Sequence, residues 1–360
     1  MPEPLKNLYT RKLIAGYGDE LASAHPKFDA RGFQAFVFAK GWKALELKGR
    51  MRRITESLRT HLPGEFGKAI EIIKAVAPKF GGFEAMSFPE YVELYGLEDF
   101  ETSVDALEHL TKFSSSEFAV RPFIVRHGDH MMEQMGEWAE SDDRHVRRLA
   151  TEGCRPRLPW AMALPDFKKD PTPILPILET LKQDDSEYVR RSVANNLNDI
   201  SKDNPEIVLK TARRWHGEHP DTDRIVKHAC RTMLKQGEPR VMKLFGYAPP
   251  KKVILSNFKV QKSVVIGDRL EFGFTLSVPK GALGKIRIEY AMHFLRKNGE
   301  HSRKVFKISE SDIADSEKVI TQSHSFKLIS TRTYYPGALA VSIIVNGVAL
   351  HKKNFELVKR

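Results

Sequence analysis

The sequence predicts a multidomain α and β protein: a HEAT-like α-solenoid followed by an antiparallel immunoglobulin-like β-sandwich. Three observations predict it. One motif recurs along the first two thirds of the chain, the apolar period switches to two after a Pro-Pro-Lys-Lys segment, and the excess positive charge lies beyond that switch. The motif is Asp143-Arg144-His145-Val146-Arg147-Arg148-Leu149-Ala150. It returns as Ser186-Glu187-Tyr188-Val189-Arg190-Arg191-Ser192-Val193 and, more weakly, as Asp223-Arg224-Ile225-Val226-Lys227-His228-Ala229-Cys230, with a degenerate copy at Glu117-Phe118-Ala119-Val120-Arg121. Successive valines are 26, 43 and 37 residues apart. A period near ~40 with acid-x-x-Val-Arg-Arg at a helix start is that of HEAT-like helix pairs, which stack into a solenoid with one concave face. A cation repeated at every turn of such a face suits a polyanion.

Residues 1–248 read as helix after helix and form the predicted repeat domain. Phe33, Phe36, Val37 and Trp42 give an early apolar face, and Met51 to Thr60 with Phe66 to Ala77 form a hairpin around Leu62-Pro63-Gly64. Gly81-Gly82, Gly96, Pro156, Pro171 and Pro205 punctuate the pairs. Asp170-Pro171-Thr172-Pro173 reads as a helix start, because proline is tolerated in a first turn. A linker at 249–252, Pro249-Pro250-Lys251-Lys252, precedes the predicted β domain at 253–360. There Leu270, Phe272, Phe274 and Leu276 alternate with polar or small residues, as do Ile286, Ile288, Tyr290, Met292 and Phe294. Asn298-Gly299 and Asn346-Gly347 are hairpin signals. Strands at this density suggest a sandwich of immunoglobulin size without the antibody cysteine pair.

Composition bounds the function. With 41% hydrophobic and 29% charged residues, the chain is that of a globular protein. No apolar run is long enough to span a membrane, and the start, Met1 to Lys6, has no secretory apolar segment. Cys154 and Cys230 offer neither a disulfide framework nor metal-ligand spacing, so reduced thiols and a cytoplasmic location are expected. Residues 249–360 carry 20 Lys and Arg against 9 Asp and Glu, leaving 38 against 37 for the rest. Nearly all of the net charge of +12 therefore sits in the β domain, an asymmetry that suggests electrostatic contact with nucleic acid, the alternative being that positive charge only aids solubility. His127-Gly128-Asp129-His130 and His216-Gly217-Glu218-His219 lack the rest of any metal signature. No phosphate loop or nucleophile elbow is present in the sequence.

The segment Arg147 to Trp160 holds the candidate chemistry. A helix starting near Ser141 is expected to end at Gly153, its C-terminal cap. Glu152 then sits at the negative end of the helix dipole, an unfavourable place for a carboxylate, beside Arg148, Arg155 and Arg157. Trp160 follows on a proline-bounded loop. An acid that is locally unfavourable, among arginines and next to a tryptophan, marks a place to seek a site. The alternative is a surface ion pair with Trp160 plugging a gap between hairpins. Asp199 is a second acid near a helix end. Glu117 has two readings: a site acid, or the N3 member of a capping box headed by Ser114, a geometry that Asp184 to Glu187 also offers.

Arg147-Arg148-Leu149-Ala150-Thr151-Glu152-Gly153-Cys154-Arg155-Pro156-Arg157-Leu158-Pro159-Trp160 and Val189-Arg190-Arg191-Ser192-Val193-Ala194-Asn195-Asn196-Leu197-Asn198-Asp199-Ile200 resemble the AlkC-type DNA alkylation-repair glycosylases, HEAT-like relatives of the AlkD type. The resemblance runs through about Tyr247, and the β domain is similar to the immunoglobulin-like domain that some AlkC-type members carry. It implies a monofunctional N-glycosylase excising cationic alkylated bases, 3-methyladenine and 3-methylcytosine, in base excision repair, without a base-recognition pocket. It implies Glu152, Glu117, Trp160 and Asp199 as site residues. Arg148, Arg155, Arg157, Arg190, Arg191 and Lys227 are the expected DNA contacts, with Arg148 and Arg190 favoured. The expected partner is double-stranded DNA containing alkylated bases, held by a monomer, with no cofactor, metal or membrane. The competing reading is a non-catalytic HEAT-repeat scaffold binding nucleic acid or an acidic protein. The groove discriminates, since a scaffold has no reason to keep an acid among arginines.

Overall fold

The amino-terminal region is helical because its apolar residues recur at helical spacing and its turns supply caps. The computed structural model describes residues 3–329 and 332–359. Helices Arg11–Ala24, Ala30–Val37, Leu47–His61, Phe66–Val76, Ser87–Tyr95 and Phe100–Thr111 precede the repeats. The repeats pair Val120–His127 with Asp129–Ala139, Arg144–Gly153 with the short Pro165–Lys169 and Leu175–Thr180, and Glu187–Ile200 with Pro205–Trp215, and end in Pro220–Ala229. Thr10, Asp29, Asp99 and Asp143 each accept a hydrogen bond from a first-turn backbone N–H. Proline occupies the first turn of Pro165–Lys169 and Pro205–Trp215. The repeat valines Val120, Val146, Val189 and Val226 are all in the core. Glu187–Ile200 packs between Arg144–Gly153 and Pro220–Ala229, so the motif helices lie side by side. No helix among the described residues is long and apolar enough to cross a membrane.

Local details differ from the sequence expectation. The helix expected from Ser141 starts at Arg144, because Asp143 caps it by accepting from the His145 and Val146 N–H groups. Gly153 is its last helical residue and Cys154 the C-cap. Neither capping box forms. Ser114 Oγ donates to the Gly82 carbonyl and the following helix begins only at Val120, while Asp184 accepts from the Ser186 N–H and the N-cap of the later helix is Ser186, which makes no side-chain cap.

The first arginine of each Val-Arg-Arg staples one repeat to the next. Arg147 donates to the Ser141 and Asp142 carbonyls behind its own helix and pairs with Asp184 at 2.6 Å and Asp185 at 2.9 Å ahead. Arg190 repeats this, donating to the Asp184 and Asp185 carbonyls and pairing with Asp221 at 3.4 Å. Burial opposes the Asp184 charge, but the Arg147 hydrogen bond and the Ser186 N–H outweigh it and hold its carboxyl below the usual range.

The chain divides into two units, one ending at Ala229 and the other beginning at Cys230. In the second, β1 (Ile254–Val260), β3 (Arg269–Ser277) and β6 (Glu317–Ser325) form one sheet in the order β1-β3-β6. β2 (Ser263–Val265), β4 (Gly284–Leu295), β5 (His301–Ile313), β7 (Gly337–Val345) and β8 (Val348–Val358) form the other, ordered β2-β8-β7-β4-β5. All pairs are antiparallel except β2 with β8, a parallel edge pair. The alternating residues of β3 and β4 share one buried core, as their period of two requires. Asn346 and Gly347, with φ of 45° and 79°, make the tight β7–β8 turn. Asn298-Gly299 lies instead in a longer loop between β4 and β5, closed by Arg296 N–H to the Glu300 carbonyl.

The last helical hairpin, Arg231–Gln236 with Pro239–Leu244, belongs to this second unit. Gly237 and Gly347 meet backbone to backbone: a Cβ on Gly237 would stand 2.5 Å from the Gly347 carbonyl oxygen. Asn346 Nδ2 donates to the Ala248 carbonyl. The composition switch at 249–252 thus lies inside the second unit, because contact with the sheet, not helical content, decides where the hairpin belongs.

Two outcomes follow from these contacts. A chain ending at Ala229 should bind little hydrophobic dye, whereas one ending at residue 252 leaves Met242 and Tyr247 of the hairpin uncovered and should bind more. Equal dye fluorescence and melting from the two truncations would contradict the boundary. Arg147→Ala should cost about 2–3 kcal/mol at neutral pH, since it leaves the buried Asp184 carboxylate short of its cation. A depressed carboxyl pKa contributes stability above the ordinary carboxylate range and loses it as pH falls through the folded value. Urea melts across pH should therefore show the gap between wild type and variant closing in acid.

Candidate active site

The site is a chain of alternating charges running across the repeat helices. Glu117, in the turn before Val120–His127, meets Arg148 Nη1 at 2.5 Å. Ser115 Oγ bridges the two, at 2.9 Å from each. Arg148 Nη2 lies 3.5 Å from Glu152 Oε1, one turn further along the same helix. The same oxygen takes Arg155 Nη1 at 2.5 Å. Arg155 then grips Asp199 with Nε and Nη2, both at 2.8 Å, and Lys202 covers the other Asp199 oxygen. Glu152, Arg155 and Asp199 are all buried. Burial disfavours both guanidinium charges. Glu117 and Glu152 outweigh it for Arg148, and Glu152 and Asp199 outweigh it for Arg155, so both are held above the ordinary arginine range.

Neutral groups complete the wiring. Ser192 Oγ donates to Glu152 Oε2 at 2.6 Å, and Thr151 Oγ1 stands 2.5 Å behind Ser192. Asn196 Nδ2 donates to the Thr151 carbonyl. Every charged oxygen of Glu152 is therefore spoken for by a donor on the Arg144–Gly153 helix, the loop after it, or the next repeat.

Trp160 is presented to solvent on the loop after Cys154. It is 60% exposed and adopts φ of 64°, a left-handed backbone that costs a non-glycine residue about 1–3 kcal/mol. What holds the loop is Arg121, fully buried, which donates Nε to the Met162 carbonyl and Nη1 to the Gly153 carbonyl, each at 2.7 Å. Burial pushes the Arg121 guanidinium down to about 10. Gly153 is needed for closeness, not for capping. A Cβ there would stand 2.6 Å from Val120 Cγ1 and 2.9 Å from Met135 Cε.

The Trp160 ring lies 6.2 Å from Phe83, on the short turn Gly82–Ala85. Phe83 also lines a cleft of about 320 Å³ with Ser115, Glu117, Arg148 and Tyr188. Arg148 lies over the Tyr188 ring, 4.9 Å from its centroid. Glu117, Arg148 and Trp160 are thereby gathered around Phe83, with Glu152 and Asp199 joined behind them through the arginines.

The expected DNA contacts separate into groups. Arg155 is buried and spent on two carboxylates, and Arg190 is a repeat staple, so neither presents a free guanidinium outward. Arg148 lines the cleft. Arg157 pairs with Asp203 at the surface. Arg191 is exposed beside Glu187, and both line a cleft with Arg190, Arg224 and His228. Lys227 is half-buried in Pro220–Ala229. Sequence reasoning missed Arg121, Ser192, Tyr188 and Phe83. Arg121 and Ser192 sit at motif positions of the repeat, a usable signal, whereas nothing local marks Phe83 beyond the preceding Gly81-Gly82. Among the described residues, no group of three or more His, Cys, Asp or Glu side chains is placed to hold a metal.

A repeat-helix protein with buried acids and arginines laddered beside an exposed tryptophan, joined to an immunoglobulin-like domain, is the class that fold and site define. Comparison narrows it. Residues 100–233 match the family described as DNA alkylation repair enzyme, and residues 255–359 match the C-terminal Ig-like domain described for the uncharacterised protein YhaZ. The chain is 45% identical over 355 residues to YhaZ of Bacillus subtilis (strain 168), covering 98% of this chain and 99% of that one. It is also similar to the solved structure of Pseudomonas fluorescens alkylpurine DNA glycosylase AlkC bound to DNA containing an abasic site analog. That match has a TM-score of 0.94 at 36% identity, covering 99% of this chain and all of the other. The chain belongs to the DNA alkylation repair enzyme family, in its AlkC-type form with a C-terminal Ig-like domain.

Gly153→Ala is expected to destabilise the helical unit by about 1–3 kcal/mol, because Val120 and Met135 must both move. A thermal melt unchanged from wild type would show that these helices can separate at no cost.

Proposed function

We propose that this chain is a monofunctional DNA N-glycosylase that removes cationic alkylated bases, 3-methyladenine and 3-methylcytosine, from double-stranded DNA. The observation that carries the reading is the Glu117–Arg148–Glu152–Arg155–Asp199 ladder, buried at Glu152, Arg155 and Asp199, beside the exposed ring of Trp160. Family membership and the DNA in the AlkC structure support it.

The chemistry asks little of the protein. Alkylation at N3 places positive charge on the base and weakens its glycosidic bond. As the base departs with the bonding electron pair, positive charge passes to the deoxyribose, and water attacks C1′ and gives up a proton. Carboxylates held at fixed positions stabilise that charge without reorganising at the moment of reaction. Glu117 lines the cleft, and Glu152 and Asp199 stand behind it, wired through Arg148 and Arg155. A carboxylate can also orient the water and accept its proton. Trp160 offers a π-face to the cationic nucleotide. No lysine adduct is required, so no strand cleavage accompanies base release. Because the activated lesion needs no base-specific protonation, binding the base in a dedicated pocket is unnecessary.

In this reading Arg155 positions Glu152 and Asp199 and does not contact phosphate. Arg157, Arg191 and Lys227 are left as backbone contacts, with Arg148 lining the cleft as a member of the ladder and Arg190 acting through the repeat it staples. The basic β domain adds charge to the grip on DNA.

Glu152→Gln keeps the Ser192 hydrogen bond and removes the charge. Single-turnover release of 3-methyladenine should slow by about 10²–10³. Because Arg155 loses one of its two carboxylates, stability should also fall, by about 1–3 kcal/mol. DNA binding measured by anisotropy should persist. Normal release by the folded variant would remove Glu152 from the mechanism. A wild-type protein that binds DNA but releases no base would leave the non-catalytic scaffold in its place.

A further inference from the structure

The exposed Phe83 ring has no role in the mechanism above, yet it is built as firmly as any site residue. Tyr9 Oη donates to the Phe83 carbonyl at 3.1 Å, and Tyr17 Oη donates to the Glu84 carbonyl at 2.6 Å. The Gly82 N–H donates to the Phe113 carbonyl, and the Gly82 carbonyl accepts from Ser114 Oγ. Gly82 has φ of 62°, a conformation that lets the turn project the next side chain outward. The result is a rigid turn that leaves a phenylalanine 42% exposed. A large apolar ring on so tightly held a turn, covered only in part, gains only part of the burial energy it could; its remaining surface is available to a ligand.

Its neighbour supplies the direction. Phe83 and Trp160 stand 6.2 Å apart, centroid to centroid, with planes tilted by 57°. They come from segments far apart in sequence, each pinned by its own hydrogen bonds. At that tilt the two rings form an open corner; parallel stacking of a flat base between them is excluded. A cation seated in the mouth of such a corner lies within about 6 Å of both centroids, the range over which ring quadrupoles attract it.

The geometry points to Phe83 as a specificity-determining residue that, with Trp160, forms an aromatic corner for the cationic nucleotide. The ligand class is a sugar or base bearing a delocalised positive charge, and neutral nucleotides lose the attraction. This inference rests on the glycosylase reading above.

The test uses the full chain and two duplexes. One carries a pyrrolidine abasic analogue, protonated at neutral pH, and the other a neutral tetrahydrofuran analogue. Wild type should prefer the cationic duplex. Phe83→Leu, which keeps apolar bulk and removes the π-face, should lose about 3–30-fold of that preference, the scale of one cation–π contact. Its affinity for the neutral duplex should fall by less than its affinity for the cationic one, the protein should still melt cooperatively, and Phe83→Tyr should retain the preference. A Phe83→Leu protein with full cation preference, in a wild type that releases base, overturns the inference alone, as does equal weakening toward both duplexes. A wild type that neither releases 3-methyladenine nor distinguishes the duplexes overturns the glycosylase reading and this inference with it.

Discussion

The alternating charge ladder from Glu117 to Asp199 is the interaction on which the helical unit depends. Each member is costly to bury alone, since desolvating one carboxylate or guanidinium costs several kcal/mol. Each is tolerated because its neighbours have the opposite sign at hydrogen-bonding distance. The ladder joins the turn before one repeat, the Arg144–Gly153 helix and its following loop, and the helix of the next repeat. It therefore fixes the relative placement of those elements while keeping carboxylates together inside the fold. The ion pairs that hold Glu152 in place are compatible with the proposed chemical role, because they fix its position and leave it a carboxylate.

Arginine carries different duties at neighbouring positions, and helical geometry explains why. Adjacent residues on a helix point about 100° apart. In Val146-Arg147-Arg148, Arg147 reaches the carbonyls behind its helix and the acids of the next repeat, and Arg148 turns toward Glu117 and Glu152. Arg190 repeats the stapling and Arg191 remains exposed. In the second pair Arg191 is the more exposed, whereas Arg147 and Arg148 are equally covered and both paired with carboxylates. In the degenerate copy, Arg121 has turned fully inward and pins the Trp160 loop. That pin supports the left-handed backbone at Trp160, which local propensity alone would not choose.

Much was legible in the sequence because it is periodic. Spacing of the valines placed the repeats, since a residue recurring at one helical phase must face one core, and all four valines are buried. Alternation in β3 and β4 placed the sandwich core, because a period of two sends every second side chain to one face. The Glu152–Trp160 segment stood out since it violates local preference, with an acid at a helix end and a cluster of cations around it.

Contacts between distant segments decided the rest. Which arginine faces the cleft, that Arg155 serves carboxylates, and that Gly153 is an approach point instead of a cap all depend on partners tens of residues away. The final helical hairpin reads like the helices before it, yet sits with the β unit because Gly237 meets Gly347 backbone to backbone. Phe83 reaches Trp160 by the same kind of long-range meeting. Sequence by itself determined the period, the class of each element and the chemical character of the site, since those follow from local spacing and residue type. Tertiary structure decided which charges pair and which rings meet, because the energy of a buried charge or an exposed ring is set by whatever the fold places beside it.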